Sequence, residues 1–556
     1  DVRSKSGNGI GILQNWINSR RNLISSNRLR YNIDFGAHSI SAIAVLEGET
    51  NIFDGNTLFG NNIPAGLHVM DAAAYVGRSE STMISGDGPG NKEENAFGKG
   101  LAQVDYNFDN RYYVVGSYVN ESSSRFGANH RSGNFFTLGA SWIISNEKFM
   151  TGVSSVSTLK LRTSWGMTGN ESIDPYSSYT TYGTSIPTAV EFERISIGVY
   201  PTQLGSQTLK WETTVQENIG IDLGILKDRI LVTADAYVKK SKDLLLKAPL
   251  SNYSGFTNVM RNVGDMQVKG MEFSVNTVNL NRKFKWNTSF NIAFNKTKVL
   301  RLNENQQFFY TGNVARYSNA YIVKVGEELG SIFGFVYDGV INTAEELSKT
   351  PQHNSIQAKV GTRKYKDISG PNGKPDGVVD LNDRVPIGNG NPKFFGGFTN
   401  DFSYGSFDLS ILFTYSYGND ILNADKVLNE TPYTYQGGLV NMLQRWTPEN
   451  PQINKQRWDG SYNAEYSNIS SYLIEDGSYL RLKNVQVAYN IKPTLLKKLP
   501  FKSARAYVSA QNLLTFTHYT GYDPEVNYLN SIITPGADLG AYPRSKIYTI
   551  GVNLAF

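Results

Sequence analysis

Apolar and polar residues alternate with a period of two along most of the chain. Between residues 102 and 108, one set collects Ala102, Val104, Tyr106 and Phe108, and the other collects Gln103, Asp105 and Asn107. A period of two places successive side chains on opposite faces of a β-strand. The same split recurs at residues 218–225, 286–295 and 407–417. The pattern therefore predicts an all-β protein whose strands have one apolar and one polar face.

The lengths of the strands and of their connections indicate a membrane barrel. The run at residues 407–417 reaches the ~9–11 residues that a tilted strand needs to cross a bilayer, which is longer than most soluble strands. Tight turns are predicted at residues 109–110, 227–228, 281–283 and 404–406, and long loops near residues 49–94, 169–212, 299–331, 418–477 and 514–544. Short turns on one rim and long loops on the other are typical of outer-membrane barrels. We count roughly 14 to 16 antiparallel transmembrane strands.

The last strand supports this interpretation over a soluble sandwich or a secreted adhesin, in which the apolar face would form a dry core. Tyr548, Ile550, Val552, Leu554 and the terminal Phe556 share one face of this strand. A final strand that ends in Phe556 looks like the signal read by the outer-membrane insertion machinery. We therefore predict that Phe556 is an insertion signal and that the protein is integral to the outer membrane.

Composition removes several other classes of protein. No apolar run approaches the ~18 residues of a membrane helix. The chain has no cysteine, which excludes disulfides, thiolate nucleophiles and Cys-ligated metals. Its 54 basic and 49 acidic residues are spread along the sequence, so no nucleic-acid partner is expected. Asp1 opens the chain without an export signal, and we expect a processed or truncated N-terminus.

Several segments, taken in order, are specific to one family. They are GMTGN (166–170), FTNDFSY (398–404), RWTPENP (445–451), SYLRLKNV (478–485), PTLL (493–496), YVSAQNL (507–513), GYDPE (521–525) and YPRS (542–545). Together they resemble the SusC/RagA family of TonB-dependent outer-membrane transporters, and the likeness runs from Trp16 to Phe556. The resemblance implies a barrel of about 22 strands around a plugged lumen.

The resemblance also implies which parts of such a transporter the chain supplies. Residues 1–556 match the C-terminal portion of one barrel domain, and neither a plug domain nor a TonB box is visible in them. An unclosed sheet would leave backbone groups unpaired in hydrocarbon, at several kcal/mol each. We therefore expect a remaining N-terminal barrel and plug segment, either from a longer chain or from a second polypeptide.

Family members import oligosaccharides or peptides. Their implied partners are a SusD-like lipoprotein that covers the extracellular mouth, the TonB system acting through the plug, and outer-membrane lipid with lipopolysaccharide. A dimer of transporter–lid pairs would also fit the family. Candidate substrate contacts are the aromatic residues Tyr433, Tyr435, Trp446 and Trp458 in the long loop after Tyr417. Their alternative role is packing at the rim or against the lid.

An acidic, glycine-containing loop at residues 367–383 is the candidate metal site. Its oxygen-bearing side chains are Asp367, Asn372, Asp376, Asp380 and Asp383, a donor set that suits Ca²⁺. Many family members have a tighter acidic run here, whereas this chain interposes Pro371 and Pro375. The alternative is a loop stabilised by Asx-turns. No other cofactor is expected.

Catalytic motifs are missing from the sequence. The five histidines are scattered, and we find no HExxH pair, GxSxG elbow or Walker loop. We therefore predict a non-enzymatic importer of oligosaccharides or peptides. The alternative function is a passive porin or a barrel adhesin without energised transport.

Overall fold

The computed structural model describes residues 11–63, 75–78, 90–185, 198–303, 306–315, 317–353, 358–370, 372–430, 438–451, 455–458, 468–496 and 500–555. The first strands are β1 (Gly11–Phe35), β2 (His38–Ile63), β3 (Tyr75–Arg78), β4 (Gly90–Phe108), β5 (Tyr112–Ser123), β6 (Ser132–Ile143), β7 (Val156–Asn170), β8 (Thr181–Ser185) and β9 (Gly198–Gln203). The next are β10 (Glu212–Ile225), β11 (Ile230–Lys242), β12 (Leu245–Pro249), β13 (Asn258–Asn262), β14 (Asp265–Asn281) and β15 (Phe284–Arg301).

Short strands and helices follow β15, and long strands resume at residue 394. The short strands are β16 (Phe308–Thr311), β17 (Tyr321–Lys324), β18 (Ser331–Gly334), β19 (Tyr337–Val340), β20 (Gln352–His353), β21 (Arg363–Tyr365), β22 (Val378–Val379) and β23 (Val385–Asn389). The remaining strands are β24 (Phe394–Tyr404), β25 (Phe407–Tyr417), β26 (Asp420–Asn423), β27 (Ile474–Asp476), β28 (Tyr479–Asn490), β29 (Ser503–Thr517), β30 (Ala537–Asp538) and β31 (Ile547–Ala555). The helices are α1 (Ala344–Lys349), α2 (Asp425–Asn429) and α3 (Pro493–Leu496), and none in the described part of the chain is long and apolar enough to cross a membrane.

One sheet of 16 strands dominates the described residues. Its order is β1-β2-β4-β5-β6-β7-β10-β11-β14-β15-β24-β25-β28-β29-β31, with β3 paired to β2. Each long strand therefore lies beside the next long strand in the sequence, which is an up-and-down meander. The all-β, antiparallel prediction and the count of strands are confirmed.

The chain divides into two compact units. The first holds Asp1–Trp142, Thr163–Glu217 and Lys240–Asp265, and the second holds Ile143–Arg162, Asn218–Lys239 and Met266–Phe556. In the first unit, a core of Phe126, Phe135, Ile173, Leu209 and Trp211 is buried. The loop residues discussed below lie in the second unit.

The predicted tight turns are present. Residues 109–111 join β4 to β5. Asp109 and Asn110 have φ angles of 52° and 51°, the left-handed pair of a type I′ turn, and the N–H of Arg111 donates to the carbonyl of Phe108 at 3.0 Å. Asn and Asp tolerate these angles better than other non-glycine residues, so this turn sequence fixes the hairpin and its register.

Two predicted loops have different bounds in the structure. The bounds predicted for the loop at residues 49–94 are wrong, because β2 continues to Ile63 and β4 begins at Gly90. The two strands pair from Asn56 opposite Gly90 to His38 opposite Phe108. In the predicted loop region both strands are rich in polar, charged and glycine residues. They pair through backbone hydrogen bonds, which a search for alternating apolar and polar side chains cannot detect. The loop expected at residues 299–331 is longer than predicted, since no long strand begins again until Phe394.

Register places the apolar residues of neighbouring strands in continuous rows. Directly opposed residues of an antiparallel pair lie on the same face of the sheet. One row crosses six strands through Trp286, Phe402, Leu409, Val487, Val508 and Ile550. Trp286 and Phe402 stack with ring centroids 5.8 Å apart. Val508 and Ile550 are 53% and 83% exposed, so no described part of the chain packs over this end of the row.

The adjacent row, one residue away on each strand, is polar throughout. It runs through Asn287, Asp401, Ser410, Gln486, Ser509 and Thr549. A sheet with a continuous exposed apolar row on one face and a polar row on the other fits a wall between lipid and water. A soluble sandwich would bury the apolar row against a second sheet.

One arginine, Arg162, forms ion pairs with aspartates on two other strands of the sheet; we call its paired guanidinium the Arg162 fork. Arg162 donates from Nε and Nη2 to the two carboxylate oxygens of Asp222, at 2.8 and 3.0 Å. It also donates to both oxygens of Asp235, at 3.1 and 3.0 Å. The fork fits beside Gly220, where an added Cβ would lie 2.4 Å from an oxygen of Asp235. Glycine at this position therefore makes room for the bidentate pairs.

Candidate functional site

Three long connections pack together into what we call the loop assembly: the described residues of 302–393, 418–478 and 518–546. They share one hydrophobic core. Its buried members are Val314, Tyr317, Ala320, Tyr321 and Ile332 from the first connection, Leu422, Ala424, Val427, Ile469 and Leu473 from the second, and Ala537 from the third. Burying large side chains fully stabilises a fold by about 1.5–3 kcal/mol each, so this part of the chain holds a defined shape.

Short strands join the three connections. Within the first, β16, β17, β18 and β23 form a four-stranded sheet. Within the second, β26 pairs with β27, and the same β26 also pairs with β30 of the third connection. A bridge from Phe335 to Ser470 links the first connection to the second. These pairings satisfy backbone groups that would otherwise be buried without partners.

Glu430, which is 1% exposed, is a charged centre of the loop assembly. Its carboxylate accepts hydrogen bonds from the hydroxyl of Tyr472 at 2.6 Å and from the amide of Asn441 at 2.8 Å. Nη2 of Arg363 lies 3.9 Å from its Oε2, and the guanidinium lies over the Tyr472 ring, 3.9 Å from its centroid. Burial raises the pKa of Tyr472, which therefore stays protonated and remains a donor. This centre joins residues that are far apart in the sequence.

A second charged centre attaches the third connection to β28. Arg481, 2% exposed within a strand, donates from Nη2 to Asp523 and lies 3.1 Å, through Nη1, from Oε2 of Glu525. Glu525 also accepts from Tyr479 at 2.9 Å and pairs with Nε of Arg544 at 2.7 Å. Burial alone would raise the pKa of Asp523, but the bonds from Arg481 and from backbone N–H groups outweigh it and hold this pKa below its usual value. Two of the family-like segments, 478–485 and 521–525, therefore meet here.

Trp446 and Trp458, two of the predicted substrate contacts, lie in the loop assembly. Trp446 is 9% exposed, and its indole N–H donates to Asn342 at 3.0 Å. Its ring lies against Gly361, where an added Cβ would be 2.5 Å from it. Trp458 is partly buried beside Gly438. Packing, the alternative role, therefore accounts for the position of Trp446, and the predicted contacts of Trp446 and Trp458 with substrate stay predictions.

Three other predicted residues, Tyr433, Tyr435 and Phe556, lie outside the described residues. Their roles as substrate contacts and as an insertion signal stay predictions. The described part of the last strand, β31, ends at Ala555 and shows the expected alternation, with Tyr548, Ile550, Val552 and Leu554 exposed.

The acidic loop at 367–383 is organised by its own backbone. Asp383 is fully buried and accepts from the N–H groups of residues 368, 369 and 380, at 2.6, 2.9 and 2.8 Å. Asp380 accepts from the N–H of residue 382, and together with Asp383 it forms the capping box of a short 3₁₀ turn. Asp367 and Asp376 accept from the N–H groups of residues 377 and 378. These are the Asx-type interactions considered above as the alternative.

The donor set for Ca²⁺ does not converge in this arrangement. Asn372 lies exposed at a turn, and within the described ranges no group of three or more His, Asp or Glu side chains could hold a metal ion. Oδ1 of Asp367 is buried without a hydrogen-bond partner, so this one carboxylate oxygen of the loop remains available as a metal ligand. Calcium binding stays a prediction.

An aromatic strip with an arginine was not foreseen in the sequence. Phe308 and Tyr310 are exposed on β16, their ring centroids are 5.2 Å apart, and Tyr310 stacks on Phe333 at 5.2 Å. The guanidinium of Arg384 lies over the Phe333 ring, 4.8 Å from its centroid. Burial lowers the pKa of Arg384. The consecutive Phe308, Phe309 and Tyr310 were the available sequence signal, but the partner arginine lies more than 70 residues away.

The alternation, the meander and the long packed connections define an outer-membrane β-barrel protein. The family model described as "TonB dependent receptor-like, beta-barrel" matches residues 4–513. The chain therefore belongs to the TonB-dependent receptor-like β-barrel family. It resides in the outer membrane, and membership in a receptor family agrees with the non-enzymatic prediction.

Curated relatives support this assignment. TonB-dependent receptor P3 of Formosa agariphila is 32% identical over 554 residues, which cover 96% of this chain and 52% of that protein. TonB-dependent receptor SusC of Bacteroides thetaiotaomicron is 27% identical over 487 residues, which cover 82% of this chain and 43% of that protein. The chain spans about half the length of the curated relatives it matches. The predicted resemblance to the SusC/RagA family is confirmed.

Solved structures show the same fold. A structure of the RagAB peptide transporter matches with a TM-score of 0.79 at 23% identity, over 98% of this chain and 56% of that chain. The RagAB peptide importer in its "open-open" state matches with a TM-score of 0.76 at 24% identity, again over 98% of this chain and 56% of that chain.

Proposed function

We propose that the protein is the barrel portion of a SusC-like, TonB-dependent importer of oligosaccharides or peptides. In this proposal residues 1–556 form the C-terminal part of one barrel, and the plug that TonB would pull lies outside them. The polar row through Asn287 and Thr549 lines the substrate path, and the apolar row through Trp286 and Ile550 faces lipid. A SusD-like lipoprotein covers the loop assembly.

The loop assembly is the observation that carries the proposal. A passive channel needs only a constriction, whereas these three connections share a core and two buried charged centres at Glu430 and Arg481. Fixed loops of this size offer a pre-organised surface, on which a lid could dock without a large ordering cost. Long loops lie on the extracellular rim of outer-membrane barrels, where a lid would meet them.

The relatives agree with oligosaccharides or peptides as the class of substrate, but they do not identify one substrate. SusC and the RagAB peptide transporter lie in the group that this chain resembles, and aromatic side chains in the loops can stack on sugars or pack on peptides. We propose Tyr433, Tyr435 and Trp458 as direct contacts, and Trp446 as the residue that positions the segment around it. A dimer of transporter–lid pairs is part of the same proposal.

Uptake in living cells tests the function. The full-length protein would be expressed in a host with and without TonB, and fluorescent oligosaccharides and peptides would be followed into the periplasm. We expect uptake that requires TonB and a SusD-like lipoprotein that co-purifies with the protein. Uptake that is equal in the two hosts would instead identify a passive porin, and surface binding without uptake would identify an adhesin.

A further inference from the structure

Arg384 lies against two stacked aromatic rings in the loop assembly. Its guanidinium carbon lies 4.8 Å from the ring centroid of Phe333 and 5.9 Å from that of Tyr310. Nη2 donates to the backbone carbonyls of Asn319 and Phe333, at 2.9 and 2.7 Å. The side chain is thus fixed in position by one of its three nitrogens.

The positive charge of Arg384 has no carboxylate partner among the described residues. The neighbouring Asp383 directs both carboxylate oxygens to backbone N–H groups instead. This differs from the buried Arg481, which pairs with Asp523 and Glu525. A partly buried cation that lacks a counter-ion is costly, and such groups are usually paired.

Two donor nitrogens of Arg384 remain for a ligand. In the described part of the chain Nε and Nη1 have no hydrogen-bond partner, and neither is fully buried, so both can be reached from solvent. Each edge of the guanidinium that could pair with both oxygens of a carboxylate includes Nη2, which is already engaged, so a ligand carboxylate would accept one charge-assisted hydrogen bond, from Nε or from Nη1. An arginine already fixed by packing loses little further entropy when it binds a carboxylate.

The exposed rings beside the Arg384 guanidinium add an apolar surface. Phe308 and Tyr310 are both about two-fifths exposed and contact each other with their rings tilted, while Tyr310 stacks on Phe333. A ligand whose carboxylate reached Arg384 would therefore lay its adjoining ring or aliphatic part on these two side chains.

We propose that Arg384, Tyr310 and Phe308 form a subsite for a carboxylate group on the transported substrate. The inference rests on the proposed import function, and it narrows the substrate class to acidic ligands. The carboxylate could be the C-terminus of a peptide or the acid group of a uronic acid, and both sources present the same anionic group to the guanidinium.

Binding to the purified full-length protein in detergent tests the subsite without any need for TonB. The probes are a short neutral peptide as its free acid and as its C-terminal amide, and a uronic acid oligomer as its free acid and as its methyl ester. We expect at least one acid to bind about tenfold or more tightly than its uncharged partner, because one charge-assisted hydrogen bond is lost. The series that shows this preference identifies the source of the carboxylate.

Three variants separate recognition from general charge and from folding. R384Q should remove the preference for the acid and leave the affinity for the amide or ester unchanged. R384K should keep only part of the preference, because an ammonium that donates to the carbonyls of Asn319 and Phe333 has one N–H left and lacks the flat guanidinium face that lies over the Phe333 ring. K366Q, which removes a charge from an exposed lysine of the same connection, should retain it in full.

Two results would overturn the subsite. One is equal affinity of the unmodified protein for acid and uncharged probes in both series. The other is an R384Q variant that keeps the preference, or that weakens acid and uncharged probes alike, as a purely structural role would. Uptake plays no part in these measurements, so failure of the import proposal would be seen separately.

Discussion

Replacing Arg481 by methionine should release the third connection of the loop assembly from β28. Arg481 is 2% exposed and pairs with Asp523 and Glu525, so its loss leaves two carboxylates close together with reduced compensation. Removing one partner of a buried pair costs about 3–5 kcal/mol. Because Arg544 still pairs with Glu525, we expect a cost at the lower end of this range, about 3 kcal/mol. Such a cost increases the population of the open form, in which residues 518–546 are detached from β28, about a hundredfold.

Native-state hydrogen exchange measures this opening. The amide of Tyr528 donates to the carbonyl of Ala537 at 2.8 Å, and its exchange should accelerate about a hundredfold in R481M. R505M is the matched control, since Arg505 only approaches Asp408 to 4.0 Å, with both side chains about one-third exposed, and it should change exchange little. Unchanged protection of residues 518–546 in R481M, or equal acceleration in R505M, would refute the reasoning.

Other predictions concern the sheet and the loops. Gly220→Val should destabilise the barrel by about 1–3 kcal/mol by displacing the Arg162 fork, and heat-modified gel mobility should show this, whereas Gly48→Val, with open space around it, should have little effect. Trp446→Phe should cost about 1 kcal/mol through the lost bond to Asn342 and leave substrate affinity unchanged; a large loss of affinity at equal stability would mean direct contact. If Ca²⁺ draws the acidic side chains of residues 367–383 together against their hydrogen bonds to backbone N–H groups, millimolar Ca²⁺ should protect the loop from protease; unaltered cleavage would exclude calcium binding there.

The long strands could be predicted from the sequence because lipid imposes a simple rule on them. Every second residue of a strand faces hydrocarbon and must be apolar. Val508 and Ile550 follow this rule, which can be applied to each strand without knowing which strands lie beside it. Where that demand weakens, the rule fails. Around Asp54 and Lys92 neither β2 nor β4 keeps one apolar face: β2 places Ile52 and Phe53 on opposite faces, and residues 90–95 of β4 are polar or glycine, so alternation could not distinguish them from a loop.

The loop assembly could not be predicted, because its contacts join distant residues. Tyr321, Leu422 and Ala537 share one core although about 100 residues separate each from the next. Short strands of two to five residues leave no period to detect. The acidic loop was recognised by composition, yet composition does not reveal that backbone N–H groups take up the oxygens of Asp383.

The account depends most on which face of the sheet meets lipid, and the chain's lack of cysteine permits a direct measurement. Single cysteines at Val508 and Ser509, adjacent on β29, would each carry an environment-sensitive fluorophore in the protein reconstituted with brominated lipids. We predict strong quenching by the brominated acyl chains at position 508 and weak quenching at position 509. Equal quenching at the two positions, or stronger quenching at 509, would contradict the assignment of the apolar row to the lipid face.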